Sequence, residues 1–103
     1  MDRPAYLHFV KRARERFGLV LTERLVLNME DCIRKGFYSR ICEQGEGLTL
    51  YRVPAGKRMA AVAYNRTTET VVTIMPIEWT TQSHRVEREV AAAGADNSER
   101  EET

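Results

Sequence analysis

Few residues of the kinds that build small sites and small scaffolds occur in this chain. Its 103 residues hold two cysteines, two histidines, three prolines and one tryptophan. The disulfide framework of a small secreted domain needs more cysteines at tight spacing, and a zinc site needs a third and a fourth ligand. Cys32 and Cys42 sit in apolar or amphipathic stretches and read as buried free thiols. No apolar run approaches the roughly 18 residues that cross a bilayer, so no membrane contact is expected. The start, Met1-Asp2-Arg3-Pro4, lacks the apolar stretch of a signal peptide, and a cytoplasmic location is expected. No glycine-rich loop opens a helix: Gly45-Glu46-Gly47 joins two stretches of strand character. No serine sits in a nucleophile elbow. Glu30 and Asp31 are neighbours on a helical stretch and point apart, which argues against a carboxylate-pair hydrolase. No metal or cofactor is expected.

What is present is an ordinary globular composition, 43% hydrophobic and 30% charged, in one domain's length of chain. Net charge is +1 but unevenly spread. Residues 85–103 set Arg85, Arg88 and Arg100 against Glu87, Glu89, Asp96, Glu99, Glu101 and Glu102, a net −3 that leaves +4 on the rest. A mildly basic body with an acidic tail permits contact with nucleic acid without requiring it.

Asp2 and Pro4 read as a helix start, a capping acid and a proline whose missing N–H costs little there. Tyr6, Phe9, Val10, Ala13 and Phe17 recur at helical spacing, and Gly18 is a stop, so a first helix covers about 3–17. Thr22 caps a second helix whose inner face is Leu25, Val26, Met29, Cys32 and Ile33, ended by Gly36. The period then changes from 3.6 toward 2. Strands are expected over Phe37–Cys42, Leu48–Val53, Arg58–Tyr64 and Thr70–Met75, with short turns that make an antiparallel meander. The fold class is α+β: two N-terminal helices packed on a sheet of about four strands (ααββββ). One domain is expected over 1–82. Residues 83–103 read as a charged tail, partly helical or disordered.

The first helix carries a row, His8, Arg12 and Arg16, at i, i+4 and i+8 on what reads as its solvated side. Histidine shuttles protons near neutral pH, and nearby arginines can hold a phosphate and the charge that builds on it. RNA supplies its own nucleophile, the 2′-hydroxyl, so such a site needs no metal. The plain alternative is an ordinary surface histidine. Arg52, Arg58, Tyr64 and Thr73 would line one open sheet face beside the first helix, or simply form the wet face of a half-solvated antiparallel sheet. Tyr38 and Tyr51 can stack on bases, or pack with the hydroxyl in water. Trp79 either covers an open end of the core or belongs to a partner surface.

These segments carry a family resemblance. His8 through Arg12, Arg14 and Phe17, then Ile33-Arg34-Lys35-Gly36, then Tyr51-Arg52-Val53, then Ala61-Val62-Ala63-Tyr64-Asn65 and Thr70-Val71-Val72-Thr73-Ile74-Met75-Pro76 resemble the small DUF4258-type domains. Those look like relatives of the BrnT and RelE toxins and of the wider barnase, EndoU, colicin and RelE-like ribonuclease group. The likeness spans roughly residues 5–77 and rests on short motifs. It implies four strands on two helices and metal-independent RNA cleavage. His8 would be acid and base, Arg12, Arg34 or Arg52 would sit on phosphate, and Thr73 would act from the last strand. The catalytic candidates are therefore His8, Arg12, Arg52 and Thr73. The RNA-binding candidates are Arg16, Arg34, Lys35, Arg58, Tyr51 and Tyr64. A body of only +4 departs from the strongly basic toxins.

Two readings lead. One is a small RNA-directed domain, a toxin-like metal-independent endoribonuclease acting on RNA or a ribonucleoprotein. The other is a non-catalytic protein-interaction module, for example a phage or mobile-element protein that binds and inhibits a host, defence or antitoxin protein. A homo-oligomeric accessory role is the third, and the chain is expected as monomer or dimer.

Overall fold

The computed structural model describes the backbone of residues 3–45 and 47–102, and side chains of residues 6–45 and 47–93. The capping role read for Asp2, and Glu46 in its turn, lie outside these residues. The chain is α+β. Helix α1 is Arg3–Phe17 and α2 is Glu23–Arg34. Strands β1 (Ser39–Gly45), β2 (Leu48–Ala55), β3 (Arg58–Asn65) and β4 (Thr70–Pro76) form one antiparallel sheet in the order β1-β2-β3-β4. A 3-10 turn at Ile77–Thr81 leads into α3, Ser83–Glu102.

Local chemistry explains most boundaries. The Thr22 side chain accepts the Leu25 N–H at 3.2 Å, which satisfies one of the open donors at the start of α2. Gly36, at φ +77, takes the left-handed turn after α2 that a side chain would strain. Asn65 Oδ1 accepts from Thr67 N and Thr68 N and builds the β3–β4 turn. The first strand begins two residues later than expected, leaving Phe37 exposed ahead of it. Its pairing with β2 shifts register twice, between Arg40 and Cys42 and between Glu43 and Gly45. Irregularities of this kind make an edge strand a poor template for another chain.

Two apolar clusters lie on opposite faces of the sheet. On one, Val53, Ala60, Val62, Tyr64, Val71 and Ile74 meet Phe9 and Ala13 of α1 and Val26 and Ile33 of α2. On the other, Leu50, Ala61, Ala63 and Met75 meet Val86 of α3, with Trp79 and Val90 packed beside them. The run Ala60-Ala61-Val62-Ala63 is wholly buried because helices cover both sides of β3. The segment read as a charged tail, partly helical or disordered, thus supplies a helix that roofs the second face. The half-solvated sheet is corrected accordingly.

The inner face of α2 is also corrected. Leu25 is 48% exposed, whereas Glu30 is 3% exposed and lies with Val26 and Ile33. Cys32 and Cys42 are free and only half-buried.

Candidate functional site

Helix α1 runs beside the edge strand β4, and the row His8, Arg12 and Arg16 lines that seam. His8 is 3% exposed, not solvated, and its Nε2 is hydrogen-bonded to Thr73 Oγ1 at 3.1 Å. Thr73 is fully buried. Two of the four catalytic candidates, 65 positions apart, therefore meet, but inside the protein.

Arg16 holds three elements at once. Its Nη1 donates to the Ile74 carbonyl of β4 at 2.8 Å, and its Nη2 pairs with Glu89 of α3 at 2.5 Å. Its guanidinium also lies 4.6 Å from the Trp79 ring centre, and Arg85 lies against the same ring at 3.8 Å. Trp79 thus packs over the second cluster, the core role rather than a bare partner surface. Arg12 pairs with Glu15 at 2.6 Å and holds that carboxyl below its usual range, while its own Nε is buried without a partner among the described residues. Arg16 accordingly sits in an internal network rather than on an open RNA-facing surface.

Register decides the sheet candidates. Arg52 pairs with Ala61, which pairs with Met75, so Arg52 shares the α3 face with Thr73 but lies two strands away with β3 between. Arg58 and Tyr64 lie on the opposite face with Ala60 and Val62. The four residues expected to line one sheet face are divided between both. Arg52 and Arg58 are exposed, Thr73 and Tyr64 buried. Arg58 sits 5.1 Å from the Phe17 ring centre and 3.8 Å from Glu78.

The remaining candidates divide in the same way. Tyr64 is 3% exposed and Tyr51 packs edge-on against it, with ring centres 6.1 Å apart, so Tyr64 offers no ring to a base and Tyr51 is half-covered. Burial pushes the Tyr64 hydroxyl up, and the nearby Arg34 guanidinium offsets part of that, although Tyr64 Oη makes no hydrogen bond of good geometry among the described residues. Arg34 and Lys35 are exposed and share Asp31, at 3.4 and 2.9 Å. Those cations, Lys35 foremost, draw the Asp31 carboxyl down. Such exposed pairs are weak and leave both cations available to a stronger anion.

One polar residue of consequence was missed. Glu30 Oε2 accepts the Val71 N–H at 2.8 Å, tying α2 to β4 in the interior. Burial pushes its carboxyl up, against the pull of that N–H and of Arg34. The signal was present, since 26, 30 and 33 recur at helical spacing and place Glu30 on the buried stripe.

The outward side of α1 is different in kind. Leu7, Val10, Lys11, Arg14 and Glu15 line a shallow groove of about 670 Å³. Lys11 and Arg14 are exposed and form no ion pair among the described residues, though Lys11 helps hold the nearby Glu15 carboxyl down. No group of three or more His, Cys, Asp or Glu side chains gathers among the described residues as a metal site would. No described helix is long and apolar enough to cross a membrane. Comparisons with protein-family models, with curated proteins and with solved structures find no match for this chain.

Proposed function

We propose that the protein is a non-catalytic protein-interaction module. The observation that carries this reading is the closure of the His8–Thr73 pair, 3% and 0% exposed, at the seam of α1 and β4. A general acid and base must come within hydrogen-bond reach of the proton it moves. A phosphodiester cannot approach a side chain so enclosed without α1 leaving the sheet. The pair acts instead as a polar rivet between helix and edge strand. Surface composition supports the same reading. Among the described residues, the large apolar side chains that remain well exposed, Val20, Leu25, Leu27 and Phe37, fall on α2 and its two flanks. Apolar side chains gathered on one exposed segment favour contact with protein over contact with phosphate.

The toxin-like resemblance supplies the competing reading, RNA cleavage, and the test is set against it. Purified protein and a His8→Ala variant are incubated in EDTA with labelled total RNA and with translating ribosomes. The module reading expects no cleavage from either protein. Cleavage by the wild type that disappears in a folded His8→Ala variant overturns it.

A further inference from the structure

We infer that the groove on the outward face of α1 docks an acidic amphipathic helix of a partner protein. This rests on the interaction-module reading and names the chemistry of the partner.

Leu7, Val10, Lys11 and Arg14 recur at i, i+3, i+4 and i+7, so they form one continuous stripe along the helix. Leu7 and Val10 are half-buried and floor the groove, while Lys11 and Arg14 stand exposed on it. The third charged lining residue, Glu15, is held by Arg12 at 2.6 Å, and Lys11 and Arg16 also favour its ionised form. Its charge is therefore largely answered within α1. Several other surface cations are held in ion pairs, while Arg24, Arg52, Lys57 and Arg88 are exposed without one among the described residues. Arg34 and Lys35 share Asp31, Arg40 and Arg66 share Glu43, and Arg58 faces Glu78. Neither Lys11 nor Arg14 is held in an ion pair among the described residues, although Lys11 lies near enough to Glu15 to help draw its carboxyl down. An apolar floor flanked by Lys11 and Arg14, one helical turn apart and neither held in an ion pair among the described residues, complements a helix that presents leucine-like side chains at i and i+4 with carboxylates beside them. Two cations on an apolar stripe, without an exposed aromatic to stack a base, fit a protein better than RNA.

The test is selection from a displayed library of helical 16-residue peptides against the whole protein. A Lys11→Glu/Arg14→Glu variant serves for counter-selection, and a Leu27→Ser/Phe37→Ser variant as a control on the other surface. Both pairs are exposed, so both variants should fold, which circular dichroism checks. The expected result is enrichment of peptides with acidic and apolar residues at helical spacing. Their binding should weaken at least about tenfold on charge reversal and not on the Leu27/Phe37 change. Enrichment without acidic residues, binding indifferent to charge reversal, or no enrichment overturns the groove. Peptides lost only with Leu27→Ser/Phe37→Ser overturn the groove and leave the module reading standing. A 25-nucleotide RNA bound in the groove more tightly than any selected peptide overturns it in favour of nucleic acid. Failure of the module reading has its own signature, the EDTA-resistant, His8-dependent cleavage described above.

Discussion

At the scale of single residues, the buried polar groups are the most informative. Glu30 holds the Val71 N–H in the interior, so replacing it with leucine strands a donor. Glu30→Leu is expected to cost about 1–3 kcal/mol, read by denaturant unfolding. Glu30→Gln keeps an acceptor and removes the charge that burial disfavours. The sign of the pH dependence follows from the raised carboxyl. The folded state keeps the proton more tightly than the unfolded state. This group's contribution is therefore full below the ordinary glutamate range and is lost as pH rises through the raised value. Wild-type stability should fall across that window, and the Gln variant should lack that part of the fall. Thr73→Val removes the partner of His8 Nε2 and is expected to lower stability by about 1–3 kcal/mol. His8 itself could not be placed from sequence. Its row with Arg12 and Arg16 is equally regular whether it faces water or a strand, and helical spacing fixes which residues share a face without saying what that face meets.

At the scale of elements, Arg16 is the clasp. It joins the open carbonyl edge of β4 to α3 through Glu89, with both charged side chains about 15% exposed. Breaking such a pair leaves the partner charge poorly solvated. Arg16→Met should cost roughly 2 kcal/mol, and adding Glu89→Leu should recover part of that; a double-mutant cycle by thermal or urea unfolding measures the coupling. Purely additive losses would show that Arg16 and Glu89 do not act together. The elements before α3 were legible for clear reasons. Apolar positions of α1 recur at 3.6, Thr22 and Gly36 bracket α2, and β-branched residues crowd β4. The error on α2 was to set Leu25 on the inner face and leave Glu30 off it, when Leu25 faces out and Glu30 in. Residues 83–103 are rich in charge with few apolar positions, so they read as a tail that is partly helical or disordered, and the full helix Ser83–Glu102 goes further than that. Val86, Val90 and Ala93 suffice to hold it once a flat apolar sheet face lies beneath. The unbroken Ala60–Ala63 run was the available sign that β3 has no wet side, since alternation is what a half-exposed strand shows.

At the scale of the whole molecule, the sheet is a central layer with α2 on one face and α3 on the other, while α1 lies along the edge strand β4 and turns Phe9 and Ala13 into the first cluster. Residues 1–82 alone would expose the cluster of Leu50, Ala61, Ala63 and Met75. That fragment is expected to bind a hydrophobic dye and to unfold at clearly lower urea than the full chain. An unchanged midpoint would mean that α3 adds nothing. The same layering separates scaffold from surface. It places His8, Arg16, Tyr64 and Thr73 in the framework and leaves Lys11, Arg14, Arg52 and the α2 flanks to meet other molecules. The sequence pattern identified chemically capable residues, but burial on both faces depends on how separate elements stack, which local spacing does not carry. The claim on which the account turns is that His8 is enclosed. The chain provides its own control, because His84 is exposed at the start of α3. Native protein treated with diethylpyrocarbonate and read by peptide mass mapping should be modified at His84 and protected at His8, with both modified after unfolding in urea. Modification of His8 in the folded protein at a rate close to that of His84 would contradict the account and return His8 to the surface as a candidate acid and base.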